Sequence, residues 1–142
     1  MDTRIGIAIA DTHTDYGHQV RKIWRCKKGP HKGIFGCAGD DTAIARFEDW
    51  ILRGGPKPEQ ILPRRTDDIS ENFQVIQMYE GRIYLWDQAM RGEESVLPYA
   101  AVGSGAPWAL GAMDAGADVF KALEIASRRD SGTKPPFTQI EV

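Results

Sequence analysis

Residues 99–132 read YAAVGSGAPWALGAMDAGADVFKALEIASRRDSG, and the reading of the whole chain turns on this stretch. Its opening, YAAVG, is a short apolar run and is predicted to be a buried strand. GSG then closes a turn, after which Ser104 can cap a helix and Pro107 falls in the first turn, where a missing N–H costs nothing. Another helix is predicted from Asp118 through DVFKALEIASRRD, stopping near Gly132. Both helices are rich in alanine and glycine, so they can approach each other and a sheet closely. Alone, a G-x-G turn before a helix is weak evidence, because it can cradle an anion or simply close a bend.

The elements upstream give that stretch its context. NFQVIQMY (72–79) and RIYLWD (82–87) are predicted to form a hairpin about Glu80-Gly81. PKPEQILPRRTDDISE (56–71) has no clean period and reads as a loop or a short irregular helix. In GDDTAIARFEDWILRGG (39–55), Ile44, Phe47 and Ile51 fall at helical spacing, Asp40 or Asp41 can cap, and Gly54-Gly55-Pro56 end the helix. VRKIWRC (20–26) and GIFGCAG (33–39) are hairpin strands about the KKGPHKG turn. Residues 4–10 alternate Ile5, Ile7 and Ile9 with Gly6, Ala8 and Ala10, a strand with one bulky and one small face. FTQIEV closes the chain as a strand. The order β-β-β-α-β-β-β-α-α-β, with strands in hairpins, is α+β logic, and residues 1–142 are expected to form a single domain.

Composition excludes some classes of function. A formal charge of −2 and no concentrated basic surface argue against nucleic acid or an anionic membrane as the main partner. The run RKIWRCKKGPHK alternates with apolar residues and reads as the wet face of a strand pair. No apolar run approaches the ~20 residues that span a bilayer, and no signal-type segment opens the chain, so a cytosolic location is expected. Cys26 and Cys37 lie in neighbouring predicted strands and can face each other, but without a CxxC spacing the expected state is reduced, half-buried thiols. His13, His18 and His31 show no zinc-type pattern and read as solvated loop histidines; no metal and no cofactor is expected.

Three segments, VRKIWR, FGCAGDDTAIARF and residues 99–132, taken in order, resemble the proteasome β-subunit and HslV branch of the N-terminal-nucleophile (Ntn) hydrolases, especially short members encoded in phage and prophage genomes. The resemblance runs from about Ile7 onward. It implies a four-layer α-β-β-α sandwich of two antiparallel sheets, and assembly into rings through the helices, for which Trp50 or Trp108 can supply anchors. It also implies a site. In the family, a threonine exposed at the start of the first strand attacks the peptide carbonyl while its own α-amine takes the proton. By resemblance Lys22 sits beside that threonine and Asp11 holds the lysine. Gly39 supplies an oxyanion-stabilising N–H, and Ser104 with Asp130-Ser131 completes the site, the last with altered spacing. Each residue also has a plain reading: Asp11 and Ser104 as caps, Lys22 as a solvated strand residue, Gly39 as backbone geometry.

The nucleophile is where this sequence departs from the pattern. Thr3 lies 8 positions (11 − 3) before Asp11, RIGIAIA carries no strong turn signal, and an extended run of that length spans more than ~20 Å. A very short hairpin at Gly6 would have arms too brief to be stable. Thr3 also lies behind Met1 and Asp2. The expectation is therefore a proteasome-like fold lacking the first strand, not catalytic as the chain stands and acting as a self-assembling homo-oligomer that covers the exposed edge of its second strand. The alternatives are a threonine peptidase whose nucleophile strand lies upstream, with a peptide substrate, and a small-anion binder using the GSGAPW helix N-terminus.

Overall fold

The computed structural model describes residues 1–11, 21–58 and 73–142. His13, His18 and most of the proline- and charge-rich stretch 56–71 lie outside the described residues. Among the described residues, seven strands and three helices follow one another as β1 (Ile7–Asp11), β2 (Ile23–Cys26), β3 (Gly33–Gly39), α1 (Asp41–Arg53), β4 (Phe73–Tyr79), β5 (Arg82–Trp86), β6 (Gly92–Glu94), α2 (Ala106–Asp114), α3 (Val119–Arg129) and β7 (Phe137–Glu141). Strands β2 to β6 form one antiparallel sheet in sequence order, and β1 pairs antiparallel with β7 in the second.

The period-two pattern of β3 and β4 builds the layers. Phe35, Cys37 and Val75 turn to one face, where they pack with Trp24, Trp86 and the buried side of α1 at Ala43, Phe47 and Ile51. Ile34, Ile76 and Met78 turn to the other face, against Met1, Ala8 and Ala100. Behind β1 lie α2 and α3, joined through Ala109, Met113, Ala122 and Ala126. The four layers are thus α1, the five-stranded sheet, the smaller sheet, and the α2–α3 pair. The small face of the first strand does what small side chains permit: Ala8 is fully buried and lets the sheets close on each other.

The N-terminus differs from the predicted extended run. β1 begins only at Ile7, and the chain reverses over Thr3–Gly6. Gly6 takes φ +66°, a conformation glycine adopts without strain. The reversal is clamped by Asp2, whose Oδ1 accepts from the Arg4 N–H at 2.9 Å and whose Oδ2 accepts from Arg4 Nη2 at 2.7 Å. Its arms are as brief as expected, but they do not stand alone. Asp2 bridges Ile7 on one side and Tyr99 on the other, so Met1–Thr3 fits between β1 and the segment at Tyr99 instead of ending a free hairpin. No strand precedes β1 among the described residues; the N-terminal residues contribute isolated bridges only, and by folding back they cover the start of the β1 edge.

Three other expectations are corrected. YAAVG is not a strand: only Tyr99 makes a bridge, and the sixth strand is Gly92–Glu94 instead. Cys26 and Cys37 do not face each other, since Cys26 is paired with Gly33 and the Cys37 N–H donates to the Lys22 carbonyl. Both thiols are free and buried. His31 is not a solvated loop residue but packs 5.0 Å from the Trp50 ring and 5.2 Å from the Trp86 ring.

Candidate functional site

A cavity of about 110 Å³ opens between the two sheets and the α2–α3 layer. Met1 and β1 line one side, β3 at Gly36–Ala38 the floor, and Ala100–Ser104 the opposite side; Lys22, Gly132 and Thr133 close the far end. The walls are mostly apolar, alanines and glycines interspersed with Ile9, Ile76, Met113 and Leu123, and the charged and hydroxyl groups gather at one end.

At that end Lys22 Nζ donates to Asp11 Oδ1 at 2.9 Å. Asp11 closes β1 and is buried; its second oxygen accepts the Lys134 N–H at 3.2 Å, tying β1 to the loop before β7. Next to this pair is a second cluster. Ser104 Oγ and Thr133 Oγ1 each donate to Asp130 Oδ2 at 2.7 Å. Burial pushes the Asp130 carboxyl up, but the Thr133 and Ser104 hydroxyls, the Gly132 N–H and the Lys22 charge together hold it below its ordinary value. That the Lys22 charge acts on Asp130 places the two clusters within electrostatic reach of each other.

Two glycines make this packing possible. A Cβ on Gly105 would lie 2.4 Å from Thr133 Oγ1, and one on Gly132 2.7 Å from Ser104 Oγ. Gly105, not Ser104, stands at the N-cap of α2, and no side chain caps that helix. Ser104 is instead free to turn toward Asp130. Asp40 does cap α1, accepting the Ala43 N–H at 2.8 Å, and Asp118 caps α3.

The sequence-predicted residues thus come together with one outlier. Asp11, Lys22, Ser104 and Asp130 converge, whereas Gly39, the last residue of β3 with φ +118°, lies just past the lining residue Ala38. Thr133, rather than Ser131, supplies the hydroxyl that bonds Asp130. The signal for Thr133 was a hydroxyl three residues after the aspartate, where a turn brings it back, as the bond from the Thr133 N–H to the Asp130 carbonyl at 3.2 Å shows.

Met1 occupies the near end. Its amine donates to the Ala100 carbonyl at 2.8 Å and its carbonyl accepts the Ala100 N–H at 3.0 Å. Its thioether chain lies over Gly36, with Cε 3.1 Å from where a Cβ would be, and is buried in the core between the sheets. Burial lowers the amine from 8.0 to about 6, against a smaller opposing pull from Asp2. Thr3 Oγ1 donates to the Pro98 carbonyl at 2.7 Å and does not line the cavity. Cys37 lines it, but burial, aided by Glu48, pushes its thiol far up, away from thiolate chemistry. No group of three or more metal-ligating side chains occurs among the described residues.

No protein-family model matches the chain, and no curated protein does. Solved structures do. BPH from Thiobacillus denitrificans, both alone and in complex with epoxomicin, superposes with a TM-score of 0.69 at 19% identity, covering 96% of this chain and 91% of that one. HslV from Trypanosoma brucei superposes with a TM-score of 0.58 at 17% identity, covering 94% of this chain and 91% of its own. The chain has the proteasome-like, HslV-like Ntn fold.

Proposed function

We propose that this protein is a proteasome-like subunit that keeps the charged framework of an Ntn hydrolase without a nucleophile of its own, and that it works in the cytosol by self-assembly. The observation that carries the reading is the pose of Thr3, whose hydroxyl is spent on the Pro98 carbonyl and does not line the cavity. Met1, which does line it, presents a thioether to the core. Neither can attack a carbonyl beside Lys22.

Assembly is supported by the outer helical layer. Trp108 on α2 is 48% exposed and Phe120 on α3 is 40% exposed, and large aromatics on such faces are the usual anchors of protein contacts. Trp50, the other expected anchor, packs against the α1 core and is a weaker choice. Incubating the 142-residue protein with fluorogenic peptides, while light scattering reports its mass, tests both parts. The reading expects an oligomer without turnover, and hydrolysis that disappears on Thr3→Ala would refute it.

One observation favours a second reading. A part-buried ion pair is costly to keep when apolar residues would fill the same space, yet Asp11–Lys22 and the Ser104–Asp130–Thr133 cluster stand assembled at one site. A threonine-type peptidase with its nucleophile on residues ahead of Met1 would find this framework ready. Gly39 would then serve as its oxyanion donor. N-terminal sequencing of the protein produced from its own gene separates the two readings.

A further inference from the structure

We propose that the turn between β2 and β3, with Lys27, Lys28 and Lys32, together with Lys57 beside it, binds a short chain of linked phosphates, free or as the end of a nucleotide. None of these lysines lines the cavity, and the proposal does not depend on the assembly reading.

The first support is a concentration of unpaired charge. Lys27, Lys28, Lys32 and Lys57 are all exposed, and among the described residues none of them has a carboxylate within salt-bridge distance. Cations elsewhere on the surface are partnered: Arg53 with Asp49, Arg82 with Glu94, Lys121 with Glu124. The β2–β3 register ends with Cys26 opposite Gly33. One step further sets Lys27 across from Lys32, and like charges directly opposite each other destabilise a strand pair. Cys26 Sγ donates to the Ile51 carbonyl at 3.7 Å, which brings the last turn of α1 to the same end of the sheet, and the Lys57 charge reaches His31 within the turn. Four ammoniums therefore crowd one end of the molecule without a counter-charge, a repulsion that a bound polyanion relieves.

The second support is that the turn is held in one shape. Gln77, itself buried, donates from Nε2 to the Lys32 carbonyl at 2.6 Å and accepts the Trp86 indole N–H at 3.0 Å. Cys26 Sγ donates to the Lys28 carbonyl at 3.0 Å. His31 packs 5.0 Å from the Trp50 ring and 5.2 Å from the Trp86 ring. Gly33 lets the chain enter β3 against β4, where a Cβ would lie 2.4 Å from the Met78 carbonyl oxygen. From sequence alone RKIWRCKKGPHK reads as a wet strand face, but a solvated face needs none of these anchors. A turn fixed at both ends presents its lysines with little further loss of backbone freedom on binding.

Charge sets the class of ligand. Lysine ammoniums are compact point charges suited to oxyanions, and several of them about one turn match a ligand that carries several charges in few atoms. The rest of the chain has a formal charge of −6 (−2 − 4). It repels a long polyanion such as nucleic acid, which would run over the neighbouring surface, whereas a short one touches the turn alone. An acidic peptide spreads one charge per ~3.4 Å residue and has its own backbone to order.

The probe is inorganic tripolyphosphate, titrated to about 5 mM into the 15N-labelled 142-residue protein at low salt without magnesium, beside orthophosphate, ATP, hexaglutamate and single-stranded DNA. The proposal expects saturable amide shifts at residues 27–33 and 57, binding at least about tenfold tighter than orthophosphate, and a several-fold loss between about 20 and 200 mM NaCl. Lys27→Gln with Lys32→Gln should weaken binding at least about tenfold. Because it removes like charges it should also melt no lower than the parent; Lys121→Gln should change neither reading. ATP binding as tightly as tripolyphosphate would assign the phosphates to a nucleotide, and weaker ATP binding to the free chain; either supports the proposal. No saturable shift, shifts mapping elsewhere, equal binding of orthophosphate, hexaglutamate or DNA, or unchanged affinity in the double variant would overturn it. So would a double variant that melts lower, since the lysines would then serve the fold.

Discussion

The buried Met1 amine makes stability depend on pH in a definite window. Its ordinary value is 8.0 and burial brings it to about 6 in the folded chain. Above pH 8 the amine is neutral in both states and costs the fold nothing. Between pH 8 and 6 the unfolded chain takes up the proton first, so stability falls as pH falls; below pH 6 both states are charged and the full loss is present. A difference of about 2 in pKa corresponds to a loss of about 2.7 kcal/mol, or roughly 5–10 °C in Tm for a chain of this size. Urea unfolding of the 142-residue protein at a series of pH values from 8.5 to 5.5 measures it. The matching control is the Nα-acetylated chain, which has no proton to gain. His31, lowered by burial and by Lys57, acts in the same direction but below its ordinary 6.5, and it is present in both proteins. Identical pH profiles for the free and acetylated chains between 8 and 6 would refute the burial argument.

The remaining predictions test the site and the outer surface. Among the described residues, Lys22→Met leaves the buried Asp11 carboxylate with the Lys134 N–H alone, and it should cost about 2 kcal/mol in denaturant titration; adding Asp11→Leu should recover most of it. Thr133→Val should raise the Asp130 pKa toward its ordinary value in a 13C NMR titration. Because that carboxyl is held low in the fold, its contribution is present above its unfolded value of 3.8 and lost as pH falls through the lower folded value. Gly105→Ala forces a Cβ to 2.4 Å from Thr133 Oγ1 and should destabilise by about 1–3 kcal/mol while disturbing the same titration. Trp108→Ala should reduce the oligomer seen by sedimentation and change subunit stability by less than about 1 kcal/mol.

Much of this arrangement is legible in the chain because single residues encode it locally. Ile44, Phe47 and Ile51 with Asp40 and Gly54 specify α1 without help from elsewhere. The alternation in β3 and β4 specifies a sheet buried on both faces. What escaped depends on distant partners. The Thr3–Gly6 reversal carries no familiar turn dipeptide; it is held by the Arg4 clamp on Asp2 and by Tyr99, 97 residues away (99 − 2). β6 is Gly-Glu-Glu, exposed, and exists because β5 offers an open edge and Arg82 a partner for Glu94. YAAVG has the composition of a strand, but of its residues only Tyr99 forms a bridge, to the distant Asp2. Asp11, Lys22, Ser104 and Asp130 were found through the order of three segments and not through spacing, since 119 positions (130 − 11) separate the first from the last. G-S-G before a helix suggests a cap at Ser104, but its hydroxyl goes to Asp130 because Gly105 and Gly132 leave the space.

The measurement that tests the central claim most directly is native mass spectrometry of the 142-residue protein run beside a fluorogenic-peptide assay. The account predicts a defined oligomer of 15.8 kDa subunits with no peptide turnover. A monomer, or turnover that is lost on Thr3→Ala, would contradict it, and such turnover would assign the Asp11–Lys22 framework to an active peptidase.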